Sequence, residues 1–167
     1  MAESKNGVIV IRKPARLTAD YGEIIPQGKI EFKAADTGPL IWVSRTFFKD
    51  FDFICESGII SADIAVGVGS SKLIPHTDDS ANLFFFLGTD PKNPLDLGAD
   101  AEFWMGDGEN LEKIIINSTS CVYVPPHIAH FPLIWRNVKR PAVFFVIWLQ
   151  GERTPPQKIS LAGRPNK

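Results

Sequence analysis

Short stretches dominated by β-branched and aromatic residues alternate with Gly, Pro, Asn and Asp along most of the chain. This pattern is typical of strands joined by turns, and no long stretch has the three-to-four-residue apolar period of an amphipathic helix. At most a turn or two of helix is expected, at 18–25 or 44–51. The pattern predicts an all-β sandwich or barrel. Strands are predicted at 8–12, 83–87, 101–105, 112–116, 120–124 and 143–149.

The segments between these strands predict how the chain is organised. Residues 89–98 hold two prolines and predict a long connection, whereas 106–110 (Gly-Asp-Gly-Glu-Asn) predicts a tight hairpin. An N-terminal strand with loops is expected over 1–35, and an irregular surface tail over 151–167. We therefore expect one domain over residues 1–167, with its core at about 60–150.

Composition supports one domain and excludes some partners. A chain of 167 residues and 18.5 kDa with 44% hydrophobic residues can bury a substantial core. Its 18 basic and 19 acidic residues give a net charge of -1, without a dense basic cluster, so neither nucleic acid nor an anionic membrane is an expected partner. The first residues lack signal-peptide character, and the longest apolar run, 142–149, is too short to span a bilayer, so we expect a cytoplasmic protein.

Candidate chemistry is concentrated between residues 75 and 132, which contain all 3 histidines of the chain. Because alternate residues of a strand face one side, five residues near the start of this stretch could all point into a barrel. His130 follows the strand 120–124 after the turn at Pro125 and Pro126, where its side chain can swing back over the barrel mouth. The five residues are His76, Asp78, Asn82, Phe84 and Phe86.

Two imidazoles and one carboxylate are the ligand set of a facial triad, which leaves positions open on the metal for substrate or dioxygen. The sequence therefore predicts that His76, Asp78 and His130 hold a divalent transition metal, Fe, Mn, Ni or Zn. The two cysteines, Cys55 and Cys121, have no Cys-x-x-Cys spacing and indicate neither a disulfide framework nor a thiolate zinc site.

At these residues the sequence resembles the cupin superfamily, over roughly residues 60–150. In that family one motif supplies His-x-His and a following Glu, and a second supplies another His after a Pro-x-Gly turn. The first motif falls on His76-Thr77-Asp78 and Asn82, and the second leads through His127 to His130. Asp78 replaces the second His, Asn82 replaces the Glu and His127 replaces the Gly of the turn. The resemblance implies a jelly-roll barrel (double-stranded β-helix). It also implies a homodimer joined through sheet edges, and the predicted N-terminal strand offers such an edge at 8–11.

Several residues near the predicted ligands have two interpretations. Glu102 shares a face with Trp104 and is either a proton-transfer group in the pocket or a residue at an exposed hairpin edge. Asp79 has the opposite parity from Asp78 and is expected to face solvent or stabilise a turn. His127 is either an exposed loop residue or an extra ligand or proton shuttle. Candidate pocket residues, each of which could also serve the core, are Phe84, Phe86, Trp104, Asn82 and Trp148.

Two function classes follow. The first is a metal-dependent enzyme of dioxygenase, cyclase or isomerase type that acts on a small organic molecule. An aromatic substrate is favoured over a sugar phosphate, because no Arg or Lys cluster converges on the motif region. The second is a non-catalytic cupin that binds or senses a small molecule and has lost its metal. The fold alone does not choose between them.

Overall fold

A computed structural model describes residues 53–66 and 75–149, together with the backbone of five short N-terminal strands. Strands dominate this part of the chain, and its one helix is a 3-10 turn, η1 (Gly108–Asn110). The N-terminal strands are β1 (Ala2–Glu3), β2 (Ile9–Val10), β3 (Arg16–Leu17), β4 (Ile24–Ile25) and β5 (Ile41–Val43). The remaining strands are β6 (Ile54–Ile60), β7 (Ile64–Val66), β8 (Asn82–Leu87), β9 (Asp96–Met105), β10 (Glu112–Ser118), β11 (Ser120–Val124), β12 (His130–Arg136) and β13 (Ala142–Trp148).

The strands from β6 to β13 form two antiparallel sheets with a double Greek-key order. One sheet runs β11-β8-β13-β6-β5 and the other β10-β9-β12-β7, while β1-β2 and β3-β4 form separate two-stranded sheets. Strands that follow each other along the chain thus mostly lie in opposite sheets, as in the eight-stranded jelly roll that cupins share with viral capsid proteins and lectins. This order confirms the prediction of an all-β jelly-roll barrel.

The two sheets enclose an aromatic core. In β8, Phe84 and Phe86 are 1% and 0% exposed, and they meet Phe103 of the opposing sheet at centroid distances of 4.9 and 6.2 Å. Trp135 of β12 packs against Phe86 at 5.5 Å. Because side chains alternate along a strand, the inward row of β8 is completely buried while its outward neighbours are not.

Strand β12 was missing from the prediction because Pro132 lies within it, and proline is rare inside a sheet. The structure accommodates it at an irregularity: the Phe131–Pro132 peptide is cis, and the pairing of β12 with β9 shifts register between His130 and Leu133. The pairing resumes at Leu133, so the proline falls where the ladder is interrupted.

Two further segments differ from the prediction. Strand β9 begins at Asp96, so the end of the predicted connection 89–98 belongs to a strand. The predicted tight hairpin is instead a six-residue connection over 106–111 that contains η1. Gly106 is required there, because it has a φ of +74° and an added Cβ would lie 2.2 Å from the Asn110 carbonyl oxygen.

Some predictions concern residues that the structure does not describe. The helical turn expected at 44–51 and the tail at 151–167 lie outside the described residues, as does most of 18–25, where Ile24–Ile25 is a strand. Within the described ranges, no helix has the length and apolar character to cross a membrane.

We predict that Phe103→Ala lowers the free energy of unfolding by about 3–5 kcal/mol, since it leaves a cavity where three aromatic rings meet. Ile115→Ala on the neighbouring strand, where the side chain is 51% exposed, should cost about 1 kcal/mol or less. Urea unfolding followed by tryptophan fluorescence measures both. Equal losses for the two variants would contradict the assignment of the inner face.

Candidate functional site

His76 and His130 are held opposite each other by their own backbones. The His130 N–H donates to the His76 carbonyl at 2.9 Å, and the His76 N–H donates to the His130 carbonyl at 3.2 Å. Residues that exchange both bonds in an antiparallel pair project their side chains to the same side. The two imidazole centroids accordingly lie 4.6 Å apart.

The carboxylate of Asp78 completes a buried group with these imidazoles. Its Oδ1 lies 3.8 Å from His76 Nε2, and its Oδ2 lies 3.5 Å from His130 Nε2. The three side chains each offer a ligand atom within 4.8 Å of the others, and the residues are only 1–3% exposed. We call His76, Asp78 and His130 the His-Asp-His cluster. The structure thus brings together the three residues that the sequence predicts as ligands.

The two oxygens of Asp78 have unequal surroundings. Oδ2 accepts a hydrogen bond from Asn82 Nδ2 at 2.5 Å and another from the indole Nε1 of Trp148 at 3.2 Å. Oδ1 is buried and accepts no hydrogen bond. A buried acceptor without a partner is costly, so this oxygen is suited to a cation.

The imidazole of His130 is oriented by its other nitrogen. Nδ1 lies 3.0 Å from the Ile128 carbonyl oxygen, and because a carbonyl can only accept, Nδ1 carries the proton in this bond. In the neutral ring Nε2 therefore presents its lone pair toward the carboxylate of Asp78. Two facing lone pairs repel, so the arrangement calls for a cation between them, either a proton or a metal ion.

The ionised form of Asp78 is stabilised by its neighbours. Burial alone would raise the pKa of this carboxyl, but hydrogen bonding and charge from His130, the charge of His76 and the amide of Asn82 together lower its pKa from 3.8 to about 2. Asp78 is therefore a carboxylate throughout the physiological pH range, which is the form that binds a metal.

Aromatic rings surround the His-Asp-His cluster. Phe131 stacks on His76 with centroids 5.4 Å apart, and Phe84 meets His130 edge-on at 5.6 Å. Phe131 also has a φ of 77°, which is uncommon for a bulky side chain and occurs preferentially near functional sites. The rings make the surroundings of the cluster apolar, and this strengthens electrostatic interactions within it.

The structure does not bring Glu102 and Trp104 to the cluster, which corrects their expected place in the pocket. They share a face, as their parity predicted, but it is the face of β9 opposite the buried Phe103. Glu102 Oε1 accepts a hydrogen bond from Arg136 Nε at 3.0 Å, in an ion pair whose side chains are 18% and 54% exposed. Glu102 is thus paired with an arginine on the outer side of the sheet and does not line the interior.

The remaining candidates divide into two groups. Phe84, Asn82 and Trp148 lie beside the cluster, whereas Phe86 packs deeper, against Trp135. His127 and Asp79 lie at the surface, with side chains 71% and 57% exposed and His127 Nδ1 3.5 Å from Asp79 Oδ1.

Sequence reasoning missed Glu56, which is 6% exposed and lies inside the barrel. It pairs in register with Val146, which in turn pairs with Phe84, and directly opposed residues face the same side of a sheet. The signal was available: Glu56 has the parity of Ile54 and Ile60 in a β-rich stretch. Phe131 was missed together with its strand.

No family model matches this chain, and no curated protein matches it in sequence. Solved structures do match in fold. A cupin 2 domain-containing protein from Halorhodospira halophila shares 17% identity over 87% of this chain and 82% of its own, with a TM-score of 0.49. A vicilin from Corylus avellana (hazelnut) shares 13% identity over 65% of this chain and 26% of its own, with a TM-score of 0.44.

A hydroxypropylphosphonic acid epoxidase from S. wedmorenis, in complex with fosfomycin, shares 12% identity over 86% of this chain and 60% of its own, with a TM-score of 0.41. The chain therefore spans about a quarter of the hazelnut vicilin and 60% of the epoxidase. Likeness at this level says nothing about activity, and the jelly roll follows from the order of the strands in the two sheets.

The low pKa of Asp78 predicts a specific loss of stability in acid. A carboxyl with a folded pKa of about 2 and an unfolded value of 3.8 stabilises the fold above pH 4, and this contribution disappears as the pH falls toward 2. It is worth about 2 kcal/mol, of which about half is lost at pH 3. The difference in unfolding free energy between the metal-free parent and Asp78→Asn should therefore shrink from pH 6 to pH 3. A difference that is constant across this range would contradict the shifted pKa.

Proposed function

We propose that the His-Asp-His cluster holds a divalent transition metal and that the protein is a metal-dependent enzyme acting on a small organic molecule. The observation that carries this proposal is a buried carboxylate whose surroundings, among the described residues, lack a cation. Oδ1 of Asp78 accepts no hydrogen bond, and the Nε2 lone pair of neutral His130, set by the bond from Nδ1 to the Ile128 carbonyl, faces the other oxygen of the same carboxylate at 3.5 Å. Histidine ligands of metals commonly donate their other N–H to a carbonyl in this way.

The spacing of the cluster fits an ion. Two ligands at about 2.0–2.2 Å from one ion lie at most about 4.4 Å apart. The 3.8 Å between Oδ1 of Asp78 and Nε2 of His76 falls inside that limit, and the 4.8 Å within which ligand atoms of all three residues lie exceeds it by only about 0.4 Å. Imidazole and carboxylate together favour Fe, Mn, Ni or Zn over the hard ions Mg and Ca.

The surroundings of the cluster indicate the class of substrate. A bound ion of this type would act as a Lewis acid or oxygen activator, in dioxygenase, cyclase or isomerase chemistry. Of the described side chains that contact the cluster, Phe84 and Phe131 are aromatic, while Asn82 and Trp148 are neutral donors. These groups exclude water and favour an apolar or aromatic molecule over a phosphorylated one.

A specific observation favours a second candidate, a cupin-like protein that binds a small molecule without turnover and without metal. A proton on His130 Nε2 would satisfy the same geometry, because the imidazolium would then pair with the carboxylate of Asp78 at 3.5 Å. Stoichiometric first-row metal in purified protein supports the enzyme, whereas fully stable metal-free protein that takes up no added metal supports the binder.

We predict that Asp78→Asn lowers metal occupancy far more than Asn82→Ala does, because the former removes a ligand and the latter removes a hydrogen-bond donor to that ligand. The loss for Asn82→Ala should be about 10-fold in affinity. Elemental analysis of protein grown without added metal, together with titration of metal-free protein, measures both, and His130→Ala should also lose the metal.

The matched control is Asp79→Asn, which removes the same charge from the neighbouring, 57% exposed side chain. It should keep the occupancy of the parent. If Asp78→Asn and His130→Ala also keep it, the metal lies elsewhere and the proposed site is wrong.

We also propose that the protein is a homodimer, because edge strands present unpaired backbone groups that a second copy can complete with two-fold symmetry. The edge expected at 8–11 is described only at Ile9–Val10, which pairs with Ala2–Glu3. Sedimentation at micromolar concentration should show twice the 18.5 kDa mass of one chain. A single 18.5 kDa species would refute the dimer.

A further inference from the structure

We infer that Trp148 is a positioning residue of the proposed metal site: with Asn82, it holds Oδ2 of Asp78 so that Oδ1 is the oxygen presented to the ion. This inference rests on the proposed function, and it assigns Trp148 a role beyond lining a pocket. It also assigns Asn82 the role of a hydrogen-bond donor to the ligand Asp78, so that Asn82 is not itself a ligand.

The distribution of donors over the carboxylate carries the first step. Oδ2 receives the Asn82 amide at 2.5 Å and the Trp148 indole N–H at 3.2 Å, whereas Oδ1 receives none. Two N–H groups fixed on one oxygen restrict rotation of the carboxylate about its last bond. Its free oxygen is then directed to one place, 3.8 Å from His76 Nε2.

The sheet holds both donors in register. Asn82 is the first residue of β8 and Trp148 the last of β13, and the two are directly paired. The Leu149 N–H donates to the Ala81 carbonyl at 3.0 Å and keeps the two strands joined beyond this pair. Asn82 and Trp148 are 1% and 4% exposed, so water does not compete for their N–H groups.

A second buried tryptophan allows the hydrogen bond of Trp148 to be separated from its packing. Trp135 is 1% exposed and belongs to the same core, but its Nε1 is buried and donates to no partner. Replacement of either indole by phenyl removes the same atoms from the core. Only at position 148 does it also remove a hydrogen bond to Asp78.

The test compares Trp148→Phe with Trp135→Phe. Calorimetric titration of each metal-free protein with Co(II) should show affinity 10–100-fold weaker for Trp148→Phe, the range typical of lost partners of metal ligands. Trp135→Phe should bind within about threefold of the parent if packing alone is disturbed, since that change removes no partner of a ligand. The visible absorption of bound Co(II) should change in Trp148→Phe and stay the same in Trp135→Phe, because only the former alters how the carboxylate is held.

The hydrogen bond itself is tested without metal, by following the indole N–H resonances in nitrogen-15 spectra of the metal-free protein. Asp78→Ala should move the Trp148 resonance upfield and leave that of Trp135 in place. This measurement needs no tryptophan variant to fold. An unmoved Trp148 resonance overturns the inference whatever the metal does.

The remaining outcomes separate this inference from the proposed function. If the parent binds Co(II) and Trp148→Phe binds it equally well with the same absorption, Trp148 does not position the ligand, and the metal site stands. If the parent binds no Co(II), the proposed function fails and the metal-positioning role of Trp148 fails with it, even where the hydrogen bond to Asp78 is seen.

Discussion

The carboxylate of Asp78 is the group around which the described part of this molecule is arranged. An ionised carboxylate that is 3% exposed would be strongly destabilising by itself, because burial removes its hydration. The chain compensates from three different elements: the amide of Asn82 on β8 and the indole of Trp148 on β13 donate to Oδ2, and the imidazole of His130 on β12 lies 3.5 Å from that oxygen. The compensation is uneven, since it saturates one oxygen and leaves the other open.

The jelly roll explains how donors so distant along the chain reach one carboxylate. Strands β8 and β13 are neighbours in one sheet, whereas β12 belongs to the other, and the His76–His130 backbone pair joins the segment before β8 to the start of β12. Asp78 is tied to the same place, because its carbonyl oxygen accepts the His127 N–H at 2.8 Å. The cluster thus lies where the two sheets are joined, and packing of the aromatic core holds its geometry.

The sequence predicted the features that depend on local alternation and missed those that depend on pairing. Parity placed His76, Asp78 and Asn82 on one face, and the structure buries all three. Alternation also placed Glu102 and Trp104 on one face of β9. Which face of β9 points inward depends on its pairing with β10 and β12. A register shift of one residue would turn the inward face outward. The role of Trp148 was out of reach because it lies 70 residues from Asp78.

The most direct test of the account is X-ray absorption at the metal edge of protein loaded with one equivalent of Co(II) or Zn(II). A metal held by these residues should show a first shell of nitrogen and oxygen at about 2.0–2.2 Å with the multiple scattering of two imidazoles, and His130→Ala should lose this shell together with the metal. A shell that contains sulfur, or one whose imidazole scattering is unchanged in His130→Ala, would contradict a metal held by His76, Asp78 and His130.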